Sequence, residues 1–289
     1  MPPIPAPTAR LLLPRPALSA CVFAGVERDT RGTALTDAQR FNHYPASPMA
    51  VISWIFHGTL HMVEQGTAAP VLGPPLPPLI LSGPQNRPTA SWSPGPVHAL
   101  SVGFCPEALP RLAGIGVESV MDRHTALDTA VSGPLLDACR AVLENGDADP
   151  FTTLQDRLAP LWSGPEGEAR RVPRLGDWVR ALTVRAALSP AGRSVRQVQR
   201  RIRGWTGQSH RGLQRFTQVE DVGVRVWSHH GPSPPDLAGL ADDAGFADQS
   251  HMGRAVRRVT GLPPGRLEAL MRTDESFWFY RLMGEQWEE

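Results

Sequence analysis

Two stretches of the chain, 54 residues apart, concentrate side chains able to hydrogen-bond a polyanion and the groups it carries. The first, residues 194–213, reads SVRQVQRRIRGWTGQSHRGL, and the second, residues 248–267, reads DQSHMGRAVRRVTGLPPGRL. Arg200 aligns with Arg254, Arg203 with Arg257, Thr206-Gly207 with Thr260-Gly261 and Leu213 with Leu267. In the second stretch Gln249, Ser250, His251 and Arg254 come first. A guanidinium fork can bond guanine O6 and N7 together, and a carboxamide can do the same to adenine N6 and N7. Arg257 and Arg258 follow, and with Arg203 in the first copy they are expected to meet phosphates, which set register without reading sequence.

The elements that must hold these groups are legible in the same residues. Val198, Ile202 and Trp205, like Met252, Val256 and Val259, recur at i, i+4 and i+7, one stripe of a helix. Ser194 and Asp248 are N-cap residues, whose side-chain oxygens can accept from orphan backbone N–H groups. Gly207 and Gly261 suit the left-handed C-cap. Two short helices are therefore predicted, over about 194–205 and 248–259, each burying a stripe and turning an arginine-bearing face outward. Before the second, Pro234-Pro235-Asp236 predicts a helix start, with Leu237, Leu240, Ala241 and Ala244 on one face. Gly245 then permits a tight turn and Phe246 enters the core. Helix, glycine turn, helix is the helix-turn-helix geometry. A single charged helix face is often merely solvated; two capped basic copies at a fixed offset argue for more.

Charge is segregated along the chain. The formal net is only +1 over 289 residues. Residues 1–169 hold 10 arginines against 15 acidic residues, whereas residues 170–289 hold 19 against 13, and no lysine occurs. Up to Thr273 the second segment carries 18 arginines against 8 acids, or +10. A basic segment beside an acidic one suggests a polyanion-binding module attached to something else.

The run Ala244-Gly245-Phe246-Ala247-Asp248-Gln249-Ser250-His251, then Arg254, Arg257-Arg258-Val259-Thr260-Gly261-Leu262-Pro263-Pro264-Gly265-Arg266, resembles the signature of AraC-type (AraC/XylS-like) transcriptional regulators. The resemblance covers about residues 174–272. It implies a bihelical DNA-binding domain with two helix-turn-helix units joined by a long helix, here about Ser209 to Ser228, and recognition helices in major-groove segments roughly 34 Å apart. Carried over by position, it places base contacts on Gln249, Ser250, His251 and Arg254, with Gly253 offering no side chain, and on Arg196, Gln199 and Arg200 in the first unit. Ala187 to Arg193 lacks the family's scaffold helix and alanine-glycine turn, so the first unit is expected to contribute mainly phosphate contacts. The implied partners are double-stranded operator DNA and RNA polymerase, with an unknown small-molecule effector and a homodimer left open. Val102 to Leu109, Gly114 to Val117 and Met121-Asp122-Arg123 are similar to the β-rich sensor region that precedes this domain in some such regulators.

The rest of the chain fits an α+β architecture. Up to about residue 105, short apolar or alternating runs (Met49 to Phe56, Leu79 to Leu81, Ala99 to Phe104) stand between proline and glycine clusters, which predicts a β-rich barrel or sandwich, cupin-like in outline. Residues 106–168 read as a helical connector, with Leu135, Leu136, Cys139, Val142 and Leu143 on one face, and Ser163 to Gly167 as a linker. Residues 169–289 form the all-α domain and its aromatic tail, Phe277-Trp278-Phe279-Tyr280 with Leu282, Met283 and Trp287, expected to pack on its own protein. His57 and His61, in an apparent strand from Trp54 to Val63, would share a face. With His43 and His98 they define the alternative, a metal- or ligand-binding cupin-like protein with a helical domain that does not bind DNA. No nucleophile elbow, Walker loop, zincin or dinucleotide fingerprint occurs, so neither an enzyme nor a cofactor is expected. Cys21, Cys105 and Cys139 have no metal spacing and read as reduced core thiols. No apolar run reaches the roughly 20 residues of a membrane span, which points to a cytoplasmic protein without membrane contact.

Overall fold

Strand alternation sets the first half of the molecule. The computed structural model describes residues 7–64, 70–144, 149–164, 174–189, 194–227 and 237–285. The strands are β1 (Thr8–Leu12), β2 (Val22–Asp29), β3 (Phe41–Tyr44), β4 (Ala50–His57), β5 (His61–Glu64), β6 (Val71–Pro75), β7 (Leu79–Ser82), β8 (Thr89–Trp92) and β9 (His98–Phe104). After the helix α1 (Leu109–Ala113), β10 (His124–Ala126) follows. They build a six-stranded sheet, β1-β2-β9-β4-β7-β10, and a four-stranded one, β3-β8-β5-β6, with antiparallel neighbours throughout.

Two expectations are corrected here. The alternation from Trp54 to Val63 does not form one strand. Gly58 adopts φ 81°, where a Cβ would stand 2.2 Å from the Pro96 carbonyl oxygen, so the chain turns between β4 and β5. His57 thus ends in the six-stranded sheet opposite His98, while His61 begins in the other sheet. Nor is Pro106 to Trp162 helical throughout: β10 pairs with β7 within it, and a three-residue strand is too short to display a period.

The main core lies between one face of the six-stranded sheet and helices that follow it. Next come α2 (Leu127–Ala130), α3 (Pro134–Glu144) and α4 (Pro150–Leu158). Ile52, Trp54, Leu100, Val102 and Phe104 meet Leu109, Leu135, Cys139, Leu154 and Leu158, all essentially inaccessible. Each such side chain contributes about 1.5–3 kcal/mol on burial. The indole N–H of Trp54 donates to the Cys139 carbonyl at 2.8 Å, so its one polar atom is satisfied inside this core. All three cysteines are buried thiols outside any disulfide, and burial pushes the Cys21 and Cys139 thiols up to about 12.

The helical second half comprises α5 (Leu175–Leu188), α6 (Val195–Thr206), α7 (His210–Trp227), α8 (Leu237–Asp243), α9 (Gln249–Thr260), α10 (Pro264–Thr273) and α11 (Trp278–Glu285). Two of its helical clusters recruit residues of the β-rich part. Met49 and Cys105 pack with Trp178, Leu182, Ile202 and Leu213, and Ala46 packs with Phe216, Val222, Met252 and Val256. The aromatic tail folds back as expected, and Phe277, Trp278 and Tyr280 are buried. Trp278 donates its indole N–H to Asn42 Oδ1 at 2.8 Å, and the Arg28 guanidinium lies 4.8 Å above its ring while pairing with Glu275 at 2.6 Å. Trp287 lies outside the described residues. No helix among those described is long and apolar enough to cross a membrane.

Candidate nucleic-acid interface

Both predicted helices form with the predicted caps. In α6, Ser194 Oγ accepts from the Gln197 N–H at 3.3 Å and Gln197 Oε1 accepts from the Ser194 N–H at 3.1 Å, a reciprocal capping box. In α9, Asp248 Oδ1 accepts from the His251 N–H at 2.7 Å. Both helices close on a left-handed glycine, Gly207 at φ 70° and Gly261 at φ 83°, whose N–H donates to Arg203 and Arg257 respectively, each at 2.8 Å. The repeated Thr-Gly pair now has a physical reason. Thr206 Oγ1 donates to the Ile202 carbonyl at 2.7 Å and accepts from the Gln208 N–H at 3.1 Å. Thr260 makes the same two bonds, to the Val256 carbonyl at 2.9 Å and from the Leu262 N–H at 3.2 Å. Each threonine ties the last helical turn to the chain leaving it.

The second unit has the expected geometry. Gly245, at φ 73°, separates α8 from α9, Phe246 is buried, and Gln218 of α7 donates to the Gly245 carbonyl at 2.9 Å. The predicted helix start at Pro234 to Asp236 lies outside the described residues. In the first unit, the fourteen-residue α5 packs beside α6, and an Arg201 guanidinium N–H reaches the Ala186 carbonyl. A scaffold helix is therefore present where its familiar sequence is not, although residues 190–193 of the turn are outside the description. The connector α7, His210–Trp227, matches the span expected for it.

Every residue singled out for contact is solvent-exposed: Arg196, Gln199, Arg200 and Arg203 on α6, and Gln249, Ser250, His251, Arg254, Arg257 and Arg258 on α9. Among the described residues none of these arginines pairs with a carboxylate. The His251 ring packs edge-on against Phe246, with centroids 5.5 Å apart, so part of it serves the turn.

Two adjoining concavities join the units. One, of about 700 Å³, lies between α6 and the start of α7 and includes Arg196, Arg200, Arg203, His210 and Arg211. The other, of about 320 Å³, includes Arg203, Arg215, Arg258, Gln208 and, from the β-rich part, Asn86. Arg203 lines both, so one basic surface runs from α6 to α9. Sequence reasoning overlooked Arg211 and Arg215; their four-residue spacing on the predicted connector was the available signal. Arg215 has its pKa lowered, first by burial and then by the positive charges of Arg258 and Arg211.

The β-rich part grips both α6 and α9 at their C-terminal ends. The Ala46 N–H donates to the Val259 carbonyl at 2.7 Å, and the Gln208 side chain donates to Asn86 Oδ1 at 3.0 Å. Asn86 in turn donates its main-chain and side-chain N–H groups to the Asp122 carboxylate, each at 2.7 Å. A Cβ at Gly207 would stand 2.6 Å from Met121 Sδ, and one at Gly261 would stand 3.3 Å from Pro88 Cγ.

The four histidines of the metal alternative do not converge. His57 is exposed, and His61 Nδ1 lies 2.9 Å from the Gly73 carbonyl. His43 stacks on Phe277 with centroids 4.5 Å apart, and burial lowers its pKa. His98 Nε2 meets Glu27 Oε1 at 2.8 Å. Among the described residues no three histidine, cysteine or carboxylate groups are placed to hold a metal ion.

No protein-family model matches the chain, and no curated protein does. Among solved structures, an apo ToxT variant from Vibrio cholerae strain SCE256 is 10% identical, covering 90% of this chain and 96% of its own, at a TM-score of 0.37. ToxT of the same strain bound to an unsaturated fatty acid is 11% identical, covering 78% and 93%, at a TM-score of 0.34. A third ToxT structure from Vibrio cholerae, at 1.65 Å resolution, is 8% identical, covering 91% and 97%, at a TM-score of 0.36. Likeness at this level carries no argument about function.

Proposed function

We propose that this chain is a sequence-specific DNA-binding transcriptional regulator of the AraC type. In this reading α6 and α9 enter neighbouring major-groove segments of an operator. Gln249, Ser250, His251 and Arg254, with Arg196, Gln199 and Arg200, read bases, and Arg203, Arg257 and Arg258 hold phosphates. Residues 1–105 form a sensing part that receives a small-molecule signal, residues 106–168 connect it onward, and residues 169–289 bind DNA and recruit or block RNA polymerase in the cytoplasm.

The observation that supports this most directly is electrostatic. Two capped helices expose six arginines with no carboxylate partner among the described residues, and Arg203 joins their surfaces. Arginines left unpaired on the exposed faces of two such helices suit a polyanion better than they suit water alone.

The test is a gel-shift titration of the full chain against duplexes from upstream of its own and neighbouring genes. One duplex should bind with Kd on the order of 10⁻⁸ M or tighter, falling steeply as salt rises. Weak binding that is equal on all duplexes overturns the proposal. Metal analysis addresses the alternative: stoichiometric metal lost on replacing His57 and His61 would revive it.

A further inference from the structure

The smaller concavity gathers like charges without supplying their counterpart. Arg203 comes from the last turns of α6, Arg215 from α7 and Arg258 from the last turns of α9, and all three line about 320 Å³ of space. Among the described residues none of the three is paired with a carboxylate. Burial first, and then the positive charges of Arg258 and Arg211, disfavour the charged form of Arg215. The eighteen-residue α7 starts at the same cavity, where Ser209 and Gly212 line the wall, and its first turn has no acidic residue. Its dipole adds positive potential there. The rim is fixed rather than loose, because Gln208, only 6% exposed, is tied to Asn86, and Asn86 to Asp122.

We infer that this concavity is an oxyanion site that holds one phosphate-type group between Arg203, Arg215 and Arg258. Planar guanidinium forks match the oxygens of a phosphate in pairs, and three of them converging from separate helices define a cradle. The inference adds Arg215 and the Asn86 rim, neither of which the DNA reading needs. It rests on that reading only in one of its two sources for the phosphate: the DNA backbone between the two groove segments, or a free phosphorylated small molecule.

Calorimetry of the full chain with inorganic pyrophosphate at low ionic strength tests the site itself. Single-site binding is expected, weakened at least tenfold in Arg215→Gln and unchanged in Arg180→Gln, a control that removes an equal charge from an exposed position on α5. Arg215→Gln should melt no lower than the parent, since it relieves repulsion, and Arg215→Lys should retain part of the affinity. A duplex arm separates the sources. If duplex displaces pyrophosphate and Arg215→Gln reduces the magnitude of the log–log salt slope by about one, the occupant is a backbone phosphate. If duplex and pyrophosphate bind together and Arg215→Gln spares duplex affinity, the occupant is a free phosphorylated molecule. Equal losses in Arg215→Gln and Arg180→Gln, or no binding to the parent, overturn the site. A parent that holds pyrophosphate but no duplex overturns the DNA reading and leaves the site standing.

Discussion

Gly207, the left-handed C-cap of α6, lies against the thioether of Met121 in the β-rich part, so a Cβ at Gly207 would stand 2.6 Å from Met121 Sδ. One glycine thus meets two demands, a positive φ of 70° and a close approach from another part of the chain.

The two demands can be separated. Gly207→Ala is expected to lower stability by about 1–3 kcal/mol, from the left-handed conformation and the displaced methionine together. Adding Met121→Ala should recover the steric share and leave a loss of about 1 kcal/mol from the backbone alone. Urea denaturation of both single variants and the double variant checks this through the interaction energy. Strict additivity would mean that the contact has no energetic weight.

The caps at Ser194 and Asp248 serve different helices and accept from different backbone N–H groups, those of Gln197 and His251. Ser194→Ala and Asp248→Ala are each expected to cost about 1 kcal/mol of stability. Asp248→Ala should also weaken duplex binding, because the fraying turn carries Gln249, Ser250 and His251. Asp248→Asn keeps an acceptor and should preserve both properties. Thermal melting and gel shifts on the three variants give the comparison, and an Asp248→Asn variant as weak as Asp248→Ala would show that charge, not capping, matters there.

Arg254 and Arg257 sit three residues apart on the exposed part of α9 but are assigned different work. Arg254→Ala should cost about 1–3 kcal/mol on the preferred duplex and relax preference at one base position. Arg257→Ala should weaken all duplexes alike and flatten the salt dependence by about one ion. Competition against single-base operator variants reads the difference; a uniform loss for Arg254→Ala would move it to the phosphate class.

Glu220, on α7, accepts from the Leu175 N–H at 3.0 Å and the Gly176 N–H at 3.4 Å, yet burial raises its pKa from 4.5 to about 7. Between those values the folded chain keeps a proton that the unfolded chain has released. Its stabilising share is therefore complete below pH 4.5, falls as pH rises towards 7, and is flat above. The change is on the order of 3 kcal/mol. Melting of the parent and Glu220→Gln from pH 4.5 to 8 should show the variant gaining on the parent as pH rises. A constant gap would place the Glu220 pKa at its ordinary value.

The helix pair was legible because each of its determinants is local. Cap, stripe, threonine and glycine all fall within fourteen residues, and the copies check one another. The grip on the helix ends was not legible, because Ala46 and Val259, or Asn86 and Gln208, are joined by folding and share no period. The strand break at Gly58 escaped for a related reason: alternation continues through a glycine unless the approach of Pro96 is known. Arg215 was hidden by its position on the connector, since only the packing of α7 beside α6 and α9 turns it towards Arg203 and Arg258.

The return of the tail to the opposite end of the chain limits how the protein can be divided. Arg28 and Asn42 clasp Trp278 and Glu275 across more than 230 positions of sequence, burying Phe277 and Tyr280 beside them. A fragment cut before α5 would keep the aromatic residues and lose their cover. It would carry a greasy scar that invites self-association, so binding measured on such a fragment would describe a different particle from the intact chain.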